Sequence, residues 1–454
     1  MGCSKSGKSL LLRSIAGCVP DVIACGKMRL NGVERPLHTI KGLASFIEYS
    51  ENLMIRALTV REMMEFSANF VTDYDADVAK DRIDKLLRDF NLSEAANKPI
   101  HSWFKTHTTN SEKRLLSVCK SLLCPSPLQL YDEPTLGLDS SLSYDLVNTL
   151  RDYCLQSSGK VSMMISIHQP APRTLELFDK IIILGGGGMV FCGTVPEAEA
   201  YLNRLEPYIS VGVYPVDYLI SIAQQRYEDD GKEFVNTFVD DPLYTQLIAT
   251  IENRTSETCS SDSTATHEVN LLVNKYSEGP GNPANNPEKN SKISIDFISG
   301  YSAFRRRFVM LTWRNVLIAF RDLAIFPMQF ILESSFGVVV GLLYFKVTWE
   351  IGKAEFLLLA AVSFTCNLMT YMMLFRVLPR FEHHARCKAE SSPYSYSKFC
   401  FWFSDICASM LDLLAVLPAV IVPFFMVGLP ASPLPFLVML FYVVSTTVCH
   451  AAMK

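Results

Sequence analysis

The sequence carries little charge and no excess of either sign. Asp, Glu, Lys and Arg make up 19% of it, and 42 basic residues against 46 acidic ones leave a net charge of −4. A nucleic-acid footprint needs a basic patch or stripe, so no nucleic-acid partner is expected. Thirteen cysteines are present, but none pair as C-x-x-C, and neither zinc spacing nor a disulfide framework is visible. Reduced thiols in a cytosolic or membrane setting are the expectation. The first twenty residues also lack the apolar core of a signal peptide, so any membrane insertion is expected to use internal spans. Hydrophobic residues make up 49% and the mean hydropathy is +0.19, which is apolar for a soluble chain.

What is there begins at residue 2. Gly2-Cys3-Ser4-Lys5-Ser6-Gly7-Lys8-Ser9 matches G-x-x-x-x-G-K-[ST] at every fixed position. Such a loop turns successive backbone N–H groups inward around phosphate, and its glycines permit close approach. Lys8 can reach the β- and γ-phosphates of a nucleotide, and the Ser9 hydroxyl can bind Mg²⁺. Leu10, Leu11, Leu12, Ile15 and Ala16 predict a helix whose N-terminus faces the phosphate. The chain opens at this loop, so the strand expected to lead into it is missing. Farther on, Leu128-Gln129-Leu130-Tyr131-Asp132-Glu133 reads as a strand ending on two carboxylates. Asp132 is placed to support Mg²⁺, and Glu133 to orient and deprotonate an attacking water.

Composition divides the chain into three. Residues 1–205 alternate short apolar runs with helical patterns, as an α/β domain does. Val161–Ile167 and Lys180–Leu184 read as buried strands, Gly185–Gly188 as a turn, and Met189–Cys192 as a return strand. Residues 206–304 read as a linker, largely disordered from about 252 to 292, where Ser, Thr, Asn, Gly and Pro dominate. Residues 305–454 read as a truncated transmembrane domain. About four apolar segments reach spanning length there: Leu323–Phe345, Phe356–Phe375, Phe399–Val427 and Leu434–Ala452. Arginines at 305, 306, 307, 314 and 321 precede the first, and a second basic cluster lies between the second and third. By the positive-inside rule these flanks are cytoplasmic, which predicts a multi-pass membrane protein with a cytoplasmic phosphate loop.

Pro134-Thr135-Leu136-Gly137-Leu138-Asp139-Ser140 follows Glu133, and the string YDEPTLGLDS is specific. With it the chain resembles an ATP-binding cassette (ABC) transporter. GCSKSGKS looks like Walker A, LQLYDEP like Walker B and GLDS like the D-loop. The SIHQPAP string places His168 at the switch-histidine position, which in the family contacts the γ-phosphate. Leu58-Thr59-Val60-Arg61-Glu62 with Glu65-Phe66-Ser67-Ala68 is similar to the LTVRE and FSA segments of the G subfamily, including its pleiotropic-drug-resistance branch. The resemblance implies an α/β P-loop cassette followed by an all-α transmembrane domain. It implies ATP and Mg²⁺ held by Gly2 through Ser9, Asp132 and Asp139, with Glu133 and His168 catalytic. It also implies a second half-transporter (or a second half of the same protein) as partner, a lipid bilayer, and hydrophobic or lipid-like substrates exported at the expense of ATP.

The departures from the family pattern are specific. Counting back from Asp132 puts Thr109-Asn110-Ser111-Glu112 at the SGGE positions of the signature motif, so both glycines are replaced. Counting back from Leu58 puts Ser50 where the Q-loop glutamine stands. The aromatic that stacks on adenine falls upstream of Met1. Phe304–Arg321 looks like the family's connecting helix, and Arg380–Arg386 like its coupling segment. Family half-transporters carry six spans, so both ends of this chain look cut. One competent and one degenerate site are expected in the parent assembly. The alternative is a catalytically impaired, ATP-binding relic or regulatory subunit that does not itself transport.

Overall fold

Three five-residue apolar segments, far apart in the chain, pair as a parallel sheet. The computed structural model describes residues 1–3, 5–18, 28–30, 33–34, 44–48, 54–71, 76–101, 107–123, 126–157, 161–205, 214–230, 237–261, 293–321 and 398–409, with isolated positions between 331 and 342. These form two units, each taken by itself. The first comprises Met1–Ser50, Lys80–Ala96 and Thr109–Pro283. It opens with helix α1 (Lys8–Ile15) and a short antiparallel pair, β1 (Arg29–Leu30) and β2 (Val33–Glu34). The parallel sheet runs in the order β3 (Ala44–Glu48), β4 (Leu128–Asp132), β5 (Ser162–Ser166). Its register aligns Glu48 with Asp132 and Asp132 with Ser166, so three polar side chains end three parallel strands in one row.

The period of α1 explains its seat on this sheet. Leu12 and Ala16 are four residues apart, share a face, and are buried against Leu130, with Ile15, Phe46 and Met164 packed around them. Burying a leucine of this kind contributes roughly 1.5–3 kcal/mol. The central strand β4 is fully buried at Leu130 and Tyr131. The Tyr131 hydroxyl is satisfied inside the protein, donating to Gln129 Oε1 at 2.7 Å and lying 3.0 Å from Ser121 Oγ. Ser121 belongs to α4 (Asn110–Leu122), so a buried polar contact fixes that helix against β4.

The strands expected over 161–167 and 180–184 are β5 and β6 (Ile181–Gly185), with the short helix α6 (Pro172–Leu175) between them, and the return strand is β7 (Gly188–Gly193). Gly185 pairs with Gly188, leaving Gly186 and Gly187 as the turn with φ of 60° and 80°. Positive φ at both central residues is the type I′ geometry, whose twist matches the strands it joins. The hairpin packs with α7 (Val195–Leu205), α8 (Pro215–Asp230) and the residues leading into α9 (Pro242–Ser261). Phe191, Tyr201 and Phe238 form its aromatic centre, with ring centroids 5.5–5.8 Å apart. Helix α9 extends into the first ten residues of the polar stretch, and 262–292 lie outside the described residues. Among the described residues no cysteine forms a disulfide.

The second unit comprises Glu51–Ala79, Asn97–Thr108 and Ala284–Lys454. The Leu58–Glu62 motif proves to be a helix start. Thr59 N–H donates to Glu62 Oε2 at 3.0 Å and Glu62 N–H to Thr59 Oγ1 at 3.3 Å, a capping box that begins α2 (Val60–Val71). Helix α3 (Ala76–Asp89) comes next in the chain, and from Lys80 onward it belongs to the first unit. Helix α10 (Ile293–Arg321) meets α2 through two arginines. Arg321 donates to Glu62 Oε2 at 2.6 Å, and the guanidinium of buried Arg314 lies 5.3 Å over the Phe70 ring. It also packs on α11 (Lys398–Ser409), where Asn315 Nδ2 donates to Ser404 Oγ at 3.4 Å.

This corrects the expectation of an all-α transmembrane domain, and with it the multi-pass membrane location. Among the described residues no helix is long and apolar enough to cross a membrane. Helix α10 has 29 residues, about 44 Å at 1.5 Å each, but arginines at 305, 306, 307, 314 and 321 interrupt its apolar sequence. Helix α11 has 12 residues, about 18 Å against a hydrocarbon core of about 30 Å. The four apolar segments otherwise lie outside the described residues, apart from isolated positions in the first and Phe399–Ser409 in the third. The Arg380–Arg386 segment lies outside them too.

The Arg321–Glu62 pair makes the second unit sensitive to acid. Burial raises the Glu62 carboxyl, but the hydrogen bond from Arg321, those from Thr59 and the Arg321 charge outweigh it and hold the group below its usual range. Its contribution is therefore present above the unfolded carboxylate pKa of about 4.3 and is lost as pH falls through the lower folded value. Both side chains are partly exposed, so Arg321→Ala should cost no more than about 1 kcal/mol at neutral pH. Urea titrations at pH 7 and pH 3 check this: the gap between wild type and variant should be present at pH 7 and smaller at pH 3.

Candidate functional site

The phosphate loop is shaped by a glycine whose neighbours leave no room for a side chain. Gly2 has φ of 143°, and a Cβ there would lie 2.2 Å from the Leu184 carbonyl oxygen and 2.8 Å from Ser6 Oγ. The close approach arises because the chain enters the loop as a strand. Gly2 bridges Leu184 of β6 in parallel, and Leu184 N–H donates to Met1 O at 2.9 Å. The Met1 ammonium donates to Ile182 O at 2.6 Å. Burial, and then the charge of Lys8, push the Met1 amine down to about 6. Gly7 is the N-cap of α1 and offers no side-chain cap, so the N–H groups of the first turn keep their donors for a ligand.

Lys8 is buried, and its Nζ donates to Gly2 O and Cys3 O, each at 2.9 Å. The ammonium is thus held inside the ring of the loop. Ser9 is half-buried in the first turn of α1, Lys5 is exposed with φ of 65°, and Cys3 Sγ lies 3.8 Å from Ile220 O. Ser4 and Ser50 lie outside the described residues. Two observations fit this loop to a nucleotide phosphate. Ser6 is only 8% exposed, and its Oγ is buried without a hydrogen-bond partner. The uncapped N-terminus of α1 and the Lys8 ammonium supply positive ends beside it.

The two carboxylates stand at the end of β4. Ser166 Oγ donates to Asp132 Oδ1 at 2.7 Å and accepts from Glu133 N–H at 2.8 Å, so one hydroxyl joins the end of β5 to both residues. Glu133 has φ of 47°, and its carbonyl accepts from Arg114 Nη1 at 3.0 Å. His168, two residues past β5, is exposed beside Gln169, whose φ is 44°. Among the described residues four non-glycines have positive φ, and three of them (Lys5, Glu133, Gln169) belong to this region. Such backbone costs of order 1–3 kcal/mol each and clusters at functional sites. Loop, carboxylates and histidine all follow the carboxyl ends of parallel-paired segments, where open α/β sheets bind ligands.

Asp139 has a structural task. It is the N-cap of α5 (Ser140–Gln156), its Oδ1 accepting from Leu142 N–H at 2.8 Å. Thr109 and Glu112 form a second capping box, at the start of α4: Glu112 N–H donates to Thr109 Oγ1 at 3.2 Å and Thr109 N–H to Glu112 Oε2 at 2.6 Å. Asn110 and Ser111 occupy the first two helical positions behind that cap. A cavity of about 470 Å³ near the loop is lined by β5, β6 and residues such as Leu12, Leu150 and Phe178. Its mainly apolar wall suits packing rather than phosphate. Sequence reasoning missed Ser166 and Arg114. The first is signalled by its position two residues before His168 at a strand end, whereas nothing local ties Arg114 to Glu133.

Comparison with known proteins agrees with this geometry. The family model described as ABC transporter matches residues 1–136. The chain is 33% identical to ABC transporter G family member 13 of Arabidopsis thaliana over 45% of its own length and 30% of that protein's. It is 30% identical to ABC transporter G family member STR2 of Medicago truncatula over 57% of the chain and 36% of that protein. With Protein white of Drosophila melanogaster the identity is 25%, over 86% of the chain and 54% of that protein. The chain spans about a third of the length of the first two relatives and about half of the third. These matches support an ABC-type ATP-binding protein of the ABC-transporter superfamily, most directly over residues 1–136.

Gly2→Ala tests the loop geometry. Forcing a methyl against the Leu184 carbonyl should cost roughly 1–3 kcal/mol. Paid at the loop, that weakens nucleotide affinity about five- to hundredfold, measurable by titrating the full chain with ATP and Mg²⁺.

Proposed function

We propose that the chain works as the ATP-binding cassette of a G-type ABC assembly, in which ATP hydrolysis drives export of hydrophobic or lipid-like substrates. The observation that carries this is the joint presence of the Gly2–Ser9 loop around a buried Lys8 and the Asp132–Ser166–Glu133 cluster at the strand ends. The backbone N–H groups of the loop and first turn, with Lys8, hold the β- and γ-phosphates. Ser9 and Asp132 hold Mg²⁺, whose charge neutralises the phosphate oxygens when it is bound. Glu133 orients and deprotonates the attacking water, and His168 contacts the γ-phosphate. A second cassette, from another half-transporter or a second half of the same protein, closes the site. The names of the plant relatives and the LTVRE and FSA segments support the G-type reading.

A second reading has its own observation. Asn110 and Ser111 stand where the resemblance puts the signature glycines, and the Thr109–Glu112 box commits that segment to an ordinary helix start. Side chains at those positions obstruct close backbone approach to a phosphate. That favours a chain that binds ATP and regulates or supports a partner without completing the partner's site.

Hydrolysis by the full chain with its partner, beside a Glu133→Gln variant, separates the two. On the first reading the variant loses roughly 100-fold or more in kcat while still binding ATP. If wild type and variant bind ATP and are equally inactive, the regulatory reading replaces it.

A further inference from the structure

Glu133 holds a backbone conformation that a non-glycine residue rarely keeps without support. Both of its peptide groups are held by other elements. Its N–H donates to Ser166 Oγ at 2.8 Å, from the end of β5, and its carbonyl accepts from Arg114 Nη1 at 3.0 Å, from α4. Leu136 N–H reaches the same carbonyl at 3.2 Å, closing the turn that follows. Rotation of the Glu133 backbone out of this region would break these contacts together. The backbone direction from which the Glu133 side chain leaves is therefore held by Ser166 and Arg114.

We propose that Arg114 is a positioning residue for Glu133, and that through it α4 links the Thr109–Glu112 helix start to the geometry of this chain's own carboxylate. The proposal rests on the reading of Glu133 as the group that orients water. Arg114 lies two residues beyond Glu112, on the helix whose first turn aligns with the signature segment. The Thr109–Glu112 box fixes where that helix begins, and the buried Ser121–Tyr131 contact fixes its far end against β4. The guanidinium bond to the carbonyl is charge-assisted, which makes it stronger than a neutral one. A movement of the α4 N-terminus, such as docking of a second cassette would impose, is carried to Glu133 without any contact between the partner and that residue. This gives the altered signature segment a role in this chain's own site that does not depend on its missing glycines.

The test compares the full chain with Arg114→Ala and Arg114→Lys by two readouts. The first is amide hydrogen exchange across Leu130–Leu136, and the second is kcat and KM for ATP with the partner present. In Arg114→Ala, exchange at Glu133 should rise about tenfold while Leu130 and Tyr131 stay protected, because the αL turn loosens and the buried strand does not. A carboxylate misplaced by about 1 Å costs up to roughly 100-fold, so kcat should fall ten- to hundredfold with KM unchanged. Arg114→Lys keeps a cationic donor and should restore most of both. Unchanged exchange at Glu133 in Arg114→Ala overturns the proposal, and so does an equal rise throughout β4, which marks a merely structural role. If even the wild type fails to hydrolyse ATP, the hydrolytic reading falls, and the exchange result alone decides whether Arg114 holds Glu133.

Discussion

The parallel register of β4 between β3 and β5 is the constraint on which the candidate site depends. It places Glu48, Asp132 and Ser166 in one row at the strand ends. A slip of one residue would send each to the other face of the sheet. With the row in place, the Ser166 hydroxyl reaches the Asp132 carboxylate and the Glu133 amide at once. Leu130 and Tyr131 are buried in the same strand, and α1 packs on Leu130, so the helix that starts at the phosphate loop is anchored to the strand that carries the carboxylates. The parallel entry of Met1 and Gly2 beside Leu184 sets the loop against β6.

Strain is concentrated where the chemistry is proposed. Lys5, Glu133 and Gln169 keep positive φ in spite of their side chains, and Gly2 keeps a conformation that a Cβ would not permit. The loop holds a buried cation, Lys8, bonded to two backbone carbonyls, and a buried hydroxyl with no partner, Ser6. Both are costly features for a site with no anion to receive. By contrast, Asp139 and the Thr109–Glu112 segment are satisfied locally, as helix caps. Strained or unsatisfied positions and helix-capping positions thus occur within the same motif set.

Much of the site was legible in the sequence because its parts are local. The Gly2–Ser9 pattern needs one loop and one helix, and the Asp132–Glu133 pair needs one strand end. Gly186 and Gly187 announce their own turn. Arg114 was not legible, since 19 residues separate it from Glu133 and only α4 brings it there, while Ser166 was signalled by its place before His168 but its reach to Glu133, 33 residues away, belongs to the sheet. The Leu58–Glu62 motif was recognised, but its capping-box geometry and the Arg321 contact to Glu62 belong to the folded unit. The transmembrane expectation came from runs of apolar residues counted by length. The helix actually described beside them, α10, is long enough but carries arginines that engage Glu62 and lie over Phe70.

The central claim is that Gly2–Ser9 forms a Mg²⁺-dependent nucleotide site around Lys8. Titration of the full chain with ATP, with and without Mg²⁺ and beside Lys8→Ala, tests it most directly. Binding should be saturable, strengthened by Mg²⁺, and lost or weakened at least about tenfold in Lys8→Ala, since charge-assisted phosphate contacts of this kind contribute about 1.5–3 kcal/mol. Equal binding by both proteins, indifferent to Mg²⁺, would contradict it.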